Sequence, residues 1–202
     1  MASGACGDRT PRSGCRGSNP AGGTRHKAPD RSWSGAFDIP PPHRQPRTRW
    51  SADIESRALE VDQVSVSEET APAHISAVMD LAAEAVMCVR RRRFLVDSKP
   101  VLLATSYLPL SLVAGSAINQ EDTGPDGTYA RLSELGHAPV HFREEIRSRM
   151  PSPDELTQLS LAPGTPVILI CRTAFTEEGH PVEVNEMTLD AASYVLEYDF
   201  DA

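Results

Sequence analysis

Ala85-Val-Met-Cys-Val-Arg-Arg-Arg-Arg-Phe-Leu-Val96, then Asp97-Ser-Lys-Pro100, then Val101-Leu-Leu-Ala-Thr-Ser-Tyr-Leu108 is the stretch on which the fold turns. Two apolar runs of strand length flank a four-residue turn signal, which predicts a β-hairpin. The first run keeps its apolar residues at its two ends, with Arg90–Arg93 between them. Side chains alternate faces along a strand, so Arg90 and Arg92 are expected on one side and Arg91 and Arg93 on the other.

Outward from the hairpin, the flanking segments read in the same way. Upstream, Ala58 to Ser67 alternates Leu59, Val61, Val64 and Val66, a half-buried strand. Pro72 opens a helix with Ile75, Val78, Met79 and Ala82 at helical spacing. Downstream, Gly115, Gly124, Pro125 and Gly127 mark residues 115–127 as a loop, and Tyr129–Leu135 is a short helix stopped by Gly136. Pro139–Met150 reads as a straight or bent strand with Val140, Phe142 and Ile146 as its apolar points. The first pattern then returns. A helix opens at Pro153-Asp-Glu-Leu156, a strand runs from Val167 to Phe175, Thr176-Glu-Glu-Gly-His180 turns, and Pro181–Leu189 comes back.

A shift of 81 residues aligns the two sets without a gap, placing Pro72 on Pro153, Val86 on Val167, Arg91 on Arg172, Phe94 on Phe175, Pro100 on Pro181 and Val101 on Val182. The order of elements agrees too, so the chain is expected to contain an internal duplication. A last strand is expected over Ser193–Phe200, where Tyr194, Leu196, Tyr198 and Phe200 alternate. Together these elements predict an α+β domain: one antiparallel β-sheet, internally duplicated, with peripheral helices and a ligand cleft between its halves.

The chain has 202 residues, 40% of them hydrophobic, enough for one ordinary core plus a tail. Its net charge of −8 is unevenly distributed. Residues 1–50 hold nine Lys+Arg against three acids, a charge of +6, which leaves −14 on the remaining 152 residues. The first fifty residues also carry seven Gly and seven Pro with few aliphatic side chains, a composition that cannot offset its own ordering entropy and reads as a disordered tail. An apolar secretory core is missing, and the Gly and Pro density opposes the amphipathic helix of a transit peptide. Charge alone would let such a tail touch nucleic acid non-specifically, while the acidic body would repel phosphate. No apolar run approaches the ~20 residues of a membrane helix. Cys6, Cys15, Cys88 and Cys171 suggest no disulfide framework or zinc pattern, so a reducing cytoplasm is the expected compartment.

Several motifs now resemble a known family. Val89-Arg-Arg-Arg-Arg-Phe-Leu-Val-Asp97, Lys99-Pro-Val101, Ala104-Thr-Ser-Tyr-Leu-Pro109 and Asp122-Thr-Gly-Pro-Asp-Gly-Thr-Tyr-Ala-Arg-Leu132 resemble the UTRA domain. So do Arg172-Thr-Ala-Phe175 and Gly179-His-Pro-Val-Glu-Val184, with Arg47-Thr-Arg-Trp50 similar to the linker that enters such a domain. This is the effector-binding and dimerisation domain of GntR-type bacterial transcription regulators of the HutC subfamily. The resemblance implies a chorismate-lyase-like antiparallel fold over residues 49–202, a homodimer, a small anionic metabolite as effector and no cofactor. A full regulator also carries an N-terminal winged helix-turn-helix. Residues 1–48 show no helix pair with a short turn and no Gly-containing wing, so sequence-specific DNA contact is expected only through a domain not evident here.

The resemblance also implies site residues. In members that bind sugar phosphates, an arginine pair grips the phosphate; its first member falls on Arg92 and its second on Phe94, while a family acid falls on Ala104. A guanidinium suits phosphate or carboxylate because it donates two parallel hydrogen bonds. The two apolar replacements point to a flatter or more apolar ligand with one anionic group. Thr128 and Tyr129 open a helix after a Gly-rich loop, where N–H groups favour anions. Arg172 matches a family arginine on the duplicated strand, with a structural ion pair as the competing role. Glu186 and Tyr194 have the spacing associated with the family pocket floor, with surface acid and core tyrosine as the competing roles. His137, His141, Glu144 and Glu145 superficially suggest a metal, but positions 137 and 141 of a strand lie about 13 Å apart, too far for one ion. A dimerisation-only partner and a chorismate-lyase-like enzyme are the alternatives; no acid/base pair can be assigned for the latter, and fold alone does not establish it.

Overall fold

The computed structural model describes residues 59–124, 126–196 and 198; the N-terminal tail, with Cys6 and Cys15, lies outside them. Six strands form one sheet: β1 (Leu59–Thr70), β2 (Val86–Val96), β3 (Lys99–Pro109), β4 (His141–Arg149), β5 (Val167–Phe175) and β6 (Pro181–Asp190). Their order is β1-β2-β3-β6-β5-β4, and every neighbouring pair is antiparallel. The helices are short: α1 (Ala73–Met79), α2 (Leu110–Val113), α3 (Gly127–Glu134) and α4 (Pro153–Gln158), with a 3₁₀ turn at Ala117–Asn119. None is long and apolar enough to cross a membrane.

Local chemistry sets these boundaries. The hairpin between β2 and β3 turns on Asp97 and Ser98, with φ of 50° and 63°, the two left-handed residues of a type I′ turn. In β1, Gln63 adopts φ 49° where the register to β2 shifts between Asp62 and Ser65, a β-bulge. The start of α4 is a capping box: Ser152 Oγ accepts from the Glu155 N–H at 3.2 Å, and Glu155 accepts from the Ser152 N–H at 2.7 Å.

The duplication is visible in the topology. β1-α1-β2-β3 and β4-α4-β5-β6 repeat one unit, and the 81-residue shift that carries Val86 to Val167 also carries β1 onto β4. The repeat is therefore one strand longer than the sequence alignment suggested. The two halves form one continuous sheet. They join edge to edge, with Ser106 of β3 opposite Asn185 of β6. The expected last strand is absent from the described residues. β6 ends at Asp190, which accepts from the Ala192 N–H at 2.9 Å and from Ser193 Oγ at 2.6 Å, so the chain turns off the sheet there.

One face of the sheet, called here the back, carries α1: Ile75 and Met79 pack on Met87, Val89, Tyr107 and Val184. The front carries α2, the 3₁₀ turn and α3, whose Val113, Ile118, Tyr129 and Leu132 cover Cys88, Leu108 and Ala174. Farther along the front, Phe94, Leu102, Ala104, Ile170, Met187, Leu189 and Tyr194 form an apolar floor. β4 lies at the edge and is mostly solvated, so Val140 and Ile146, read as apolar points, are exposed; only Phe142 packs inward, its ring 5.5 Å from that of Tyr129.

Candidate functional site

A polar row crosses the front of the sheet. Strand register places Arg90 of β2, Ser106 of β3, Asn185 of β6, Arg172 of β5 and Glu144 of β4 side by side. With about 4.8 Å between strands, the row spans roughly 20 Å. Arg92 stands one step further along β2, opposite Ala104, and so marks the border between this row and the apolar floor.

The four consecutive arginines separate as alternation requires. Arg91 pairs with Glu69 at 2.7 and 2.9 Å, and Arg93 with Asp62 at 2.8 and 2.6 Å. Arg90, only 2% exposed, turns to the front and donates to the backbone carbonyls of Ile118, Gln120 and Glu121, holding that loop on the sheet. Burial, followed by the neighbouring Arg92, pulls its pKa down. Arg92 donates to Ser106 Oγ at 3.0 Å and lies 5.6 Å over the Phe94 ring.

On the second half, Arg172 holds Glu144 at 2.6–2.7 Å, and the Tyr198 hydroxyl donates to the other oxygen of Glu144 at 2.8 Å. Burial opposes the Arg172 charge, but Tyr129 and Glu144 more than offset it and raise its pKa. The Tyr129 phenol is pushed well up, first by burial and then by Glu183. Within this cluster several buried polar atoms have no hydrogen-bond partner: Arg90 Nε, Arg92 Nε, Thr128 Oγ1, Glu183 Oε2 and Asn185 Oδ1. Buried polar groups are normally satisfied, and these five gather on the front of the sheet.

Of the six residues singled out in the sequence, five belong to this face: Arg92, Thr128, Tyr129, Arg172 and Tyr194. Arg172 sits in the ion pair weighed as its competing role, and Tyr194 packs in the apolar floor. Glu186 is separated from them. Its side chain lies on the back, where His74 Nε2 of α1 is 2.9 Å away, and it lines a cavity of about 650 Å³ with Glu145, Arg147 and Cys171. The neighbouring positions Asn185 and Met187 point to the front instead, a consequence of the period of two.

Alternation along the strand had already placed Arg90 on the side of Arg92. As members of this face, the sequence reading missed Ser106, Glu183, Asn185, Glu144 and Tyr198, because they required knowing which strands are neighbours. Two residues of the metal reading are engaged otherwise: the His141 ring lies 5.6 Å from that of Phe175, and Glu144 pairs with Arg172. Among the described residues, no group of three His, Cys, Asp or Glu side chains is arranged to hold a metal ion. Cys88 and Cys171 are free thiols.

This sheet has counterparts among known proteins. The profile of the UTRA domain matches residues 55–195, and the chain belongs to that family. An HTH-type transcriptional regulator of Mycobacterium tuberculosis is 36% identical over 133 residues, covering 62% of this chain and 46% of the relative. An uncharacterized HTH-type transcriptional regulator of Streptomyces coelicolor is 31% identical over 139 residues, covering 67% and 52%. The chain thus spans about half the length of the curated relatives it matches. Among solved structures, PhnF from Mycobacterium smegmatis superposes with a TM-score of 0.66 at 20% identity, covering 75% of this chain and 67% of that one. The C-terminal domain of the histidine utilization repressor from Pseudomonas syringae pv. tomato gives 0.61 at 19% identity, covering 72% and 99%. These two likenesses establish the shared antiparallel α+β fold.

Proposed function

We propose that residues 49–202 form the effector-sensing and dimerisation domain of a GntR/HutC-type transcription regulator, with residues 1–48 a separate basic segment. The supporting observation is the set of partnerless buried polar atoms on the front face, on a sheet of the UTRA family. Arg92 is the anion-binding residue in this reading, and Thr128 and Tyr129 approach the ligand from the start of α3. Tyr194 closes the apolar side. Arg172 positions Tyr129 and is already balanced by Glu144. The ligand is a small anionic metabolite. Its binding shifts the relative placement of two protomers, and a linked DNA-reading domain of the helix-turn-helix type named in the relatives converts that shift into altered operator affinity. The site calls for no metal or organic cofactor, and the regulator acts in the cytoplasm.

A thermal-shift screen of small anionic metabolites tests the reading. At 100 times Kd a specific ligand adds about 2.7 kcal/mol of stability, which is easily visible. Arg92→Ala should abolish the shift. If no anion raises the melting temperature and Arg92→Ala changes nothing, the sensor role fails. A second reading, a dimerisation partner that has lost its ligand, is favoured by the burial of Phe94 and Ala104 where resembling proteins carry polar groups. It predicts a stable dimer with no ligand response; a monomer by light scattering at micromolar concentration excludes it.

A further inference from the structure

We infer that the ligand of the front face is a zwitterion: an oxyanion at one end and an ammonium or similar cationic N–H donor at the other. The inference rests on the sensor reading above and specifies its ligand class. Its basis is the unequal distribution of unsatisfied atoms across the seam between β3 and β6. On the β2 side they are donors, Arg90 Nε and Arg92 Nε. On the β6 side they are acceptors, Glu183 Oε2 and Asn185 Oδ1. Glu183 and Asn185 are each 2% exposed, so bulk water does not satisfy them. An oxyanion satisfies the first pair and leaves the second unmet. The Tyr129 phenol is already hydrogen-bonded to the Glu183 carboxylate, which leaves Glu183 Oε2 and Asn185 Oδ1 without a donor; a molecule that also donates satisfies them, and a buried carboxylate favours a donor carrying positive charge.

The duplication strengthens the argument. The 81-residue shift maps Glu183 onto Leu102 and Asn185 onto Ala104, both buried and apolar, and maps Arg90 onto Cys171 and Arg92 onto Thr173. Donors and acceptors therefore occupy non-equivalent positions of the two copies, and the repeat alone does not account for them. The two groups are also continuous. Arg92 donates to Ser106 Oγ, and Ser106 lies directly opposite Asn185. A ligand lying over Ser106 would meet donors on one side and acceptors on the other. β2 and β6 are two strand spacings apart, roughly 10 Å at the backbone, and the inward-reaching side chains narrow this to the length of a small amino acid or amino phosphate. The apolar replacements Phe94 and Ala104 stay compatible, because they line the floor beside the polar row rather than the seam.

The test uses matched probe pairs on the full chain, by calorimetric titration: γ-aminobutyrate against butyrate, and phosphoethanolamine against ethyl phosphate. The two pairs also separate carboxylate from phosphate as the preferred oxyanion. In at least one pair the amino-bearing member should bind about tenfold tighter or more, because a site with unpaired buried acceptors penalises the analogue that lacks the donor. Glu183→Gln should bring the ratio close to one by weakening the amino-bearing member relative to its des-amino analogue. Should Glu183→Gln fold poorly, Asn185→Asp provides a second test and should widen the ratio. Arg92→Ala should weaken both members of a pair alike. Equal affinity within both pairs, or a ratio that neither Glu183→Gln nor Asn185→Asp moves, overturns the zwitterion and leaves the anion sensor standing. Absence of binding by all four probes overturns the zwitterion, and the metabolite screen above then decides the anion sensor separately.

Discussion

Arg90, Arg91, Arg92 and Arg93 are chemically identical, and only their surroundings separate them. Arg91 and Arg93 meet acids of β1, and Arg90 and Arg92 turn to the front. Arg90→Met would leave the carbonyls of Ile118, Gln120 and Glu121 without their donor, and unsatisfied buried acceptors are costly. A loss of about 3 kcal/mol in urea unfolding is expected, with faster amide exchange in the loop. A change below about 0.5 kcal/mol would mean that the clamp contributes little. The pair on the other face makes a pH prediction. The hydrogen bond from Arg91, with help from Ser67, lowers the Glu69 pKa from its ordinary 4.5 to about 2. A carboxylate depressed on folding stabilises the native state above its unfolded pKa, and that contribution is lost as pH falls from 4.5 towards 2. Glu69 is partly solvated, so screening keeps the effect under about 1 kcal/mol. Arg91→Met should flatten the acid limb of the stability curve over that window, measured by denaturant midpoints.

Among the elements, turns and caps show where short-range chemistry governs. Asp97 and Ser98 both sit at positive φ, where a Cβ is strained. Ser98→Gly should stabilise the hairpin by about 0.5 kcal/mol, the relief being partly offset by the greater freedom of the unfolded chain. Ser152→Ala removes the capping hydroxyl of α4 and should cost about 1 kcal/mol in thermal unfolding. Such features were legible in the sequence because a turn or a cap involves a few consecutive residues. The hairpin of β2 and β3, the recurrence of helix, strand, turn and strand, and the stop at Gly136 were read on that basis. The supposed strand over Ser193–Phe200 shows where the reading fails. Its alternation is real, but Asp190 accepts from Ala192 and Ser193 and turns the chain off the sheet, and hydrophobic periodicity does not detect a side chain that caps backbone.

For the whole molecule, the charge division between tail and body makes the boundary near residue 49 testable. A chain beginning at residue 49 should melt within about 2 °C of the full chain, since the described core packs within residues 59–198. A larger fall would make the tail part of the fold. The sequence by itself determined the antiparallel α+β class, the duplication, the hairpins and the family, because each is written in local pattern or repeated motif. It also placed Arg90 with Arg92, since alternation needs only neighbours along one strand. Only the tertiary structure decided that the halves join through β3 and β6, and so that Ser106, Asn185, Arg172 and Glu144 form one row. It likewise placed Glu186 on the back with His74 and left Glu183 and Asn185 as buried acceptors. The physical reason is that strand order and register bring together residues up to about a hundred positions apart in the chain, and such pairings carry no periodic signature in the sequence.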